Sequence, residues 1–192
     1  RNHFNNNCEK EFLNIKYPAP AVMSGANSLK GKTLLLPRWD SITGEFMVSV
    51  LRHEGVDARL VEETRDSIQR SLSHNTGQCI PLNIIVQNCA DYINKYNLDP
   101  SKTVMWNISS SISCNLGMFP YYCKTLMESM GGGMEQVEVY AGDLTFTDIS
   151  ISTSVNMYTA FMFAGMLRRM GCYTRPYEKI CGSTNAVLDK SV

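Results

Sequence analysis

The sequence predicts a three-layer α/β domain on a mostly parallel sheet of about four strands, and three observations carry that expectation. Short runs rich in strand formers recur at Thr33–Leu36, Ala58–Val61, Thr103–Trp106 and Val137–Tyr140. Between them lie longer stretches whose apolar residues return at helical spacing, so strands alternate with helices. Glycine or proline punctuates the junctions.

The first stretch, Arg1–Lys30, carries Pro18, Pro20 and Gly25 without sustained periodicity and reads as an irregular arm, leaving residues 31–192 as a single α/β domain. Thr33–Leu36, stopped by Pro37, has the continuous apolar character of a strand buried on both faces. From Ser41 to Glu54 the residues Ile42, Phe46, Met47, Val50 and Leu51 mark a helix, and Gly55 supplies its C-cap. Ala58–Val61 is the second strand, and Thr64 and Asp66 open a short helix toward Ser73.

Pro81 suits the first position of the next helix, in which Leu82, Ile85, Val86, Cys89 and Ile93 form one apolar stripe. Thr103–Trp106 is the third strand, followed by a serine-rich loop over 107–117. Tyr121–Met130 reads as a helix that Gly131, Gly132 and Gly133 terminate. Val137–Tyr140 is the fourth strand, and a last long helix is expected over Val155–Met170, closed by Gly171. This alternation is that of a Rossmann-like arrangement, helices on both faces of one sheet.

Composition narrows the function classes. The 192 residues, 44% of them hydrophobic, suffice for a core without staples. Eighteen basic residues balance eighteen acidic ones, so there is no net field to draw in nucleic acid or an anionic membrane. No apolar run approaches the roughly 20 residues that span a bilayer, and Arg1–Lys10 is polar rather than signal-like, so a cytoplasmic protein is expected. A chain that opens on Arg1 rather than an initiator Met and ends at Val192 after polar Asp189-Lys190-Ser191 reads as a piece of a longer protein.

Seven cysteines are many for this length, and an odd number cannot all pair. In a cytosolic α/β sequence they point to metal or redox chemistry rather than to disulfides. Cys89 and Cys123 continue apolar helix stripes and read as small core residues. Cys79 instead precedes a helix start in Asn75-Thr76-Gly77-Gln78-Cys79-Ile80-Pro81, where free N–H groups and the helix dipole favour an anionic sulfur. Cys114 lies in the serine-rich loop after the third strand, where small residues let backbone approach a bulky group. Cys8, in the N-terminal arm, is a third candidate ligand, and Cys172 and Cys181 are weaker ones.

Other sites are less well supported. No Cys-x-x-Cys pair exists, so a compact zinc site is not indicated. The three histidines lack i, i+4 metal spacing. His53 falls on a helix where exposure is expected, and His74 stands close enough to Cys79 to donate a hydrogen bond there. Pro37-Arg38-Trp39-Asp40-Ser41 after the first strand lacks the glycines of a dinucleotide turn or a P-loop, so no ATP site is expected within this chain.

Three stretches together resemble a known family. Asn75-Thr76-Gly77-Gln78-Cys79-Ile80-Pro81, Cys114-Asn115-Leu116-Gly117, and Arg175-Pro176-Tyr177-Glu178-Lys179 with Gly182 are similar to the activase-related proteins of the 2-hydroxyacyl-CoA dehydratase and benzoyl-CoA reductase system. The resemblance extends to Lys32–Glu63 and so covers nearly the whole chain. In that family a Gly-x-x-Cys-x-Pro motif and a Gly-Pro-Cys-Arg-x-Gly-x-Tyr motif supply cysteines to a [4Fe–4S] or double-cubane cluster. They map to Cys79 and Cys114, and less closely a further N-terminal cysteine maps to Cys8. The chain departs from the second motif at Ile112-Ser113 and at Asn115.

The resemblance implies an iron–sulfur domain that delivers a low-potential electron to an acyl-CoA dehydratase or reductase component in anaerobic metabolism. It further implies an ATPase activase domain as partner and a chain that is not catalytic alone. A cluster bridging two chains would need only two or three cysteines from each, which this inventory allows, so a homodimer is a further expectation. The alternative from another class is a metal-free α/β interaction or ligand-binding module. A dehydratase subunit in its own right is disfavoured, because no clear acid–base pair accompanies the cysteines.

Overall fold

A computed structural model describes residues 22–23, 29–74, 77, 79–108 and 115–192. Their strands form one all-parallel sheet: β1 (Val22–Met23), β2 (Thr33–Pro37), β3 (Asp57–Val61), β4 (Thr103–Ile108) and β5 (Glu138–Gly142). Their spatial order is β1-β5-β4-β2-β3. The sheet thus has the four expected strands plus a two-residue edge segment, Val22–Met23, from the stretch read as irregular. The α-helices are α1 (Thr43–His53), α2 (Arg65–Ser71), α3 (Ile80–Tyr96), α4 (Phe119–Met130), α5 (Ile151–Thr174) and α6 (Ser183–Lys190).

The three layers follow from side-chain alternation along the strands. Leu34, Leu36, Val104, Trp106 and Tyr140 face one way and meet Met47, Val48 and Leu51 of α1 and Met157 of α5. Leu35, Met105 and Val139 face the other way and meet Leu82, Val86, Cys89 and Ile93 of α3 and Cys123 and Met127 of α4. Each fully buried leucine or methionine of these two cores stabilises the fold by about 1.5–3 kcal/mol. Pro37 does not stop β2 but ends it in register with Val61.

Local chemistry sets the helix ends. Thr64 and Ser67 form a reciprocal capping box on α2, each side chain bonding the other's backbone N–H at 3.0 Å. Asn97 ends α3 in the left-handed conformation, and Gly131 ends α4 with positive φ. The last long helix differs from expectation at both ends. Ser150 Oγ accepts the Thr153 N–H at 2.9 Å, so α5 starts at Ile151.

At its other end Gly171 does not close α5, which runs on to Thr174 and takes Cys172 into its last turn. Gly171 sits close beside α6 instead: a Cβ there would lie 2.5 Å from Leu188 Cδ1, so that side chain would have to shift. Among the described residues, no helix is long and apolar enough to cross a membrane.

Candidate functional site

Strand order locates the place where a ligand would bind. From β2 the chain moves outward to β3, then returns past β2 to β4 and continues to β5. The helix after β2 covers one face of the sheet, and the helix after β4 covers the other. The winding therefore reverses between β2 and β4, the topological position beyond whose carboxyl ends open parallel sheets place a ligand crevice. Cys114 follows β4 by six residues in the sequence and lies outside the described residues.

The chain's two tryptophans stand at the ends of these two strands. Trp39, half-exposed in the loop after β2, lies 4.9 Å from the ring of Trp106 near the end of β4. Trp106 stacks on Phe146, which stacks in turn on Tyr140. The Tyr140 hydroxyl donates a short hydrogen bond to Asp148. The Trp106 indole N–H is buried and has no hydrogen-bond partner among the described residues. A side chain at position 142 would fill the space beside it, since a Cβ on Gly142 would meet Trp106 Nε1 at 2.9 Å and Tyr140 Cε1 at 2.5 Å.

The loop after β2 is organised by an acid rather than by glycines. Asp40 Oδ1 accepts the N–H groups of Ile42 at 2.8 Å and Thr43 at 2.7 Å, occupying the positive end of α1. Arg168 of α5 reaches across to the Asp40 carboxylate and to Thr43 Oγ1. Partial burial pushes the Asp40 pKa up. The Thr43 and Ile42 N–H bonds, the Thr43 hydroxyl and the Arg168 charge together outweigh burial and hold it below the ordinary carboxylate value. The anion-favouring end of α1 is thus already filled by the chain's own carboxylate.

Cys79 is exposed and is the N-cap residue of α3, where its side chain makes no capping bond. A short turn over 97–102 connects the end of α3 to the start of β4, so α3 runs antiparallel to the strand. Its beginning, with Cys79, therefore lies toward the carboxyl edge of the sheet, the edge on which the crevice opens. Close by, His74 Nε2 donates to Gln87 Oε1 at 2.8 Å, and Gln87 donates to Asp91, which Arg70 grips with two bonds. His74 thus braces α3 rather than pointing its Nε2 at Cys79.

The remaining cysteines separate cleanly. Cys89 and Cys123 are fully buried in the core between α3 and α4. Burial pushes both thiols far up, with the neighbouring Cys123 adding to the effect on Cys89. Cys123 rises to about 12 even though Asn107 donates to its sulfur at 2.9 Å and opposes the shift. At neutral pH both stay protonated, the wrong state for a metal ligand. Cys172 and Cys181 are exposed.

Beside Cys181, Glu178 accepts the N–H groups of Gly182 and Thr184, which holds its carboxyl below the usual value and caps α6. Among the described residues, no three His, Cys, Asp or Glu side chains gather to hold a metal ion. Cys8 and Cys114 lie outside the described residues, so the candidate ligand set is seen only through Cys79.

The sequence reading missed the aromatic wall of Trp39, Trp106, Tyr140 and Phe146 and the acid Asp148 beside it. A signal was present, since the only two tryptophans fall at the ends of two strand-like runs. Adjacency of those runs was needed to read it. No protein-family model, curated protein or solved structure matches the chain.

Proposed function

We propose that this chain is an iron–sulfur cluster-carrying domain that passes low-potential electrons to a 2-hydroxyacyl-CoA dehydratase-type enzyme. Cys79 and Cys114 are its principal ligands, and Cys8 is the third. The observation that carries this reading is the placement of Cys79. It is an exposed thiol at a helix start toward the carboxyl edge of the sheet, while the helix-borne Cys89 and Cys123 are sealed away as neutral thiols. A ligand thiolate needs access and a positive environment, and a helix N-terminus offers both.

The cluster, when bound, would supply the one-electron carrier. The chain's own groups would hold it and set its surroundings, with serine hydroxyls and amides of the 107–117 loop as hydrogen-bond donors to sulfur. ATP would be hydrolysed by a partner activase domain, and the electron acceptor would be the acyl-CoA dehydratase or reductase component. A reducing cytoplasm suits such thiols.

The test is anaerobic reconstitution with iron and sulfide, followed by assay of bound iron, acid-labile sulfide and the visible spectrum. The expected result is specific uptake with a thiolate-to-iron band. Cys79→Ala should abolish the band without changing the far-UV circular dichroism, because Cys79 packs in neither core. Full uptake by that variant, or none by the parent chain, would overturn the reading.

A second reading, a metal-free interaction module, is favoured by one specific observation, the apolar outer side of α5. In that case every loop cysteine could become serine with partner binding intact.

A further inference from the structure

The helix α5 has two apolar sides, and the fold uses only one. Thr153, Met157, Ala160, Ala164 and Gly171 are buried against α1 and its surroundings. On the opposite side stand Ile151, Val155, Tyr158, Met162, Met166 and Tyr173, each between 53% and 84% exposed. These six lie within about 40° of one line along the helix at 100° per residue, and Met170 flanks it. From Ile151 to Leu167 the sequence holds no Asp, Glu, Lys or Arg. A surface helix ordinarily turns charged residues to water, whereas a helix that is apolar all round is covered on all sides.

We propose that this outer side of α5 is the contact surface of a twofold homodimer in which two α5 helices cross antiparallel at Met162. Two observations select a second copy as the occupant. The first is area. Side chains of this size expose roughly 100–200 Å² each, which gives on the order of 800 Å² or more, beyond the 300–600 Å² of the largest apolar patch on a typical monomer. It matches the share of about 800 Å² that each partner brings to a standard interface.

The second is self-complementarity, which an isologous contact requires. Ile151 and Tyr173 lie eleven residues before and after Met162, and Tyr158 and Met166 lie four before and after. An antiparallel crossing at Met162 therefore sets Ile151 against Tyr173, Tyr158 against Met166, and Met162 against itself.

Seven residues from the centre, Val155 meets Arg169, the one charged residue on the line. Its methylene stem can cover apolar surface while the guanidinium reaches water at the rim. Because α5 and α3 lie on opposite faces of the sheet, this pairing leaves the edge that carries Cys79 open in both copies. The dimer therefore stands or falls independently of the cluster.

Sedimentation velocity of the full chain over a wide concentration range tests the proposal. The expected species has twice the monomer mass of 21.5 kDa. Met162→Glu, on an exposed position that the fold does not need, sets two carboxylates on the axis. It should weaken association at least about a hundredfold, as like charges brought together at an interface do. Met162→Lys should behave the same way, and an equimolar mixture of the two variants should recover the dimer, since only a self-contacting position pairs Glu with Lys.

A parent chain that stays monomeric would overturn the proposal and assign the face to a different partner. A dimeric Met162→Glu would overturn it by placing the contact elsewhere. A mixture that stays monomeric would overturn the crossing at Met162.

Discussion

The two long helices on opposite faces of the sheet, α3 and α5, solve the same packing problem differently. In α3 the apolar stripe faces the sheet, and the polar side is tied down by a chain of bonds from His74 through Gln87 and Asp91 to Arg70 of the neighbouring α2. In α5 the inward side is built from small residues and one methionine, while the larger side chains, Tyr158, Met162, Met166 and Tyr173, point away from the domain. Apolar spacing announces that a helix makes contacts. It does not announce how many partners those contacts have.

Truncation of the apolar side chains probes this contrast with the largest expected effect. Leu82→Ala, at a fully buried position of α3, should cost about 2–5 kcal/mol in urea unfolding. Val155→Ala on the outer side of α5 should stay within about 0.5 kcal/mol when measured at high dilution. Equal costs would mean that the outer side is already packed within the subunit.

A smaller effect sharpens the account of how α5 is anchored. Asp40 caps α1 and binds Arg168 of α5, so Asp40→Ala should cost about 1 kcal/mol near neutral pH. The sign of its pH dependence follows from a folded-state pKa held below the ordinary value. Its contribution is fully present above the unfolded carboxylate pKa of about 4 and is lost as pH falls through the lower folded value. An acid titration of stability should therefore be shallower for Asp40→Ala than for the parent, and parallel curves would refute the assignment.

The smallest effect belongs to the outside of α3. Arg70 binds Asp91 at 2.7 Å and Asp66 at 2.9 Å, but these are solvent-facing pairs. Arg70→Ala should change stability only slightly, and the difference should shrink as salt is raised. A larger, salt-insensitive loss would show that the His74–Gln87–Asp91 chain supports α3 as a unit.

Much of the fold was legible in the sequence because strands and helices here announce themselves locally. The runs at Thr33, Ala58, Thr103 and Val137 became strands, and Pro81 and Thr64 marked helix starts as their chemistry dictates. The failures were at positions governed by distant contacts. Gly171 looked like a helix stop because its partner, Leu188, lies in another helix. Val22–Met23 is too short to carry periodicity and becomes a strand only by pairing with Val139 and Tyr140.

The site was less legible for the same reason. Cys79 could be placed ahead of a helix, and Cys89 and Cys123 in the core, from spacing alone. The crevice itself depends on strand order, which no local pattern encodes, and so does the meeting of Trp39 with Trp106.

The sealing of Cys89 and Cys123 also makes the protein its own stopwatch. An alkylating reagent can reach these two sulfurs only when the α3–α4 core opens, whereas Cys79, Cys172 and Cys181 lie at the surface. Peptide mass spectra taken over time should show Cys79, Cys172 and Cys181 filling early, and Cys89 and Cys123 filling late and together. At reagent concentrations where alkylation outpaces reclosing, the rate of that late step is the rate at which the domain comes apart.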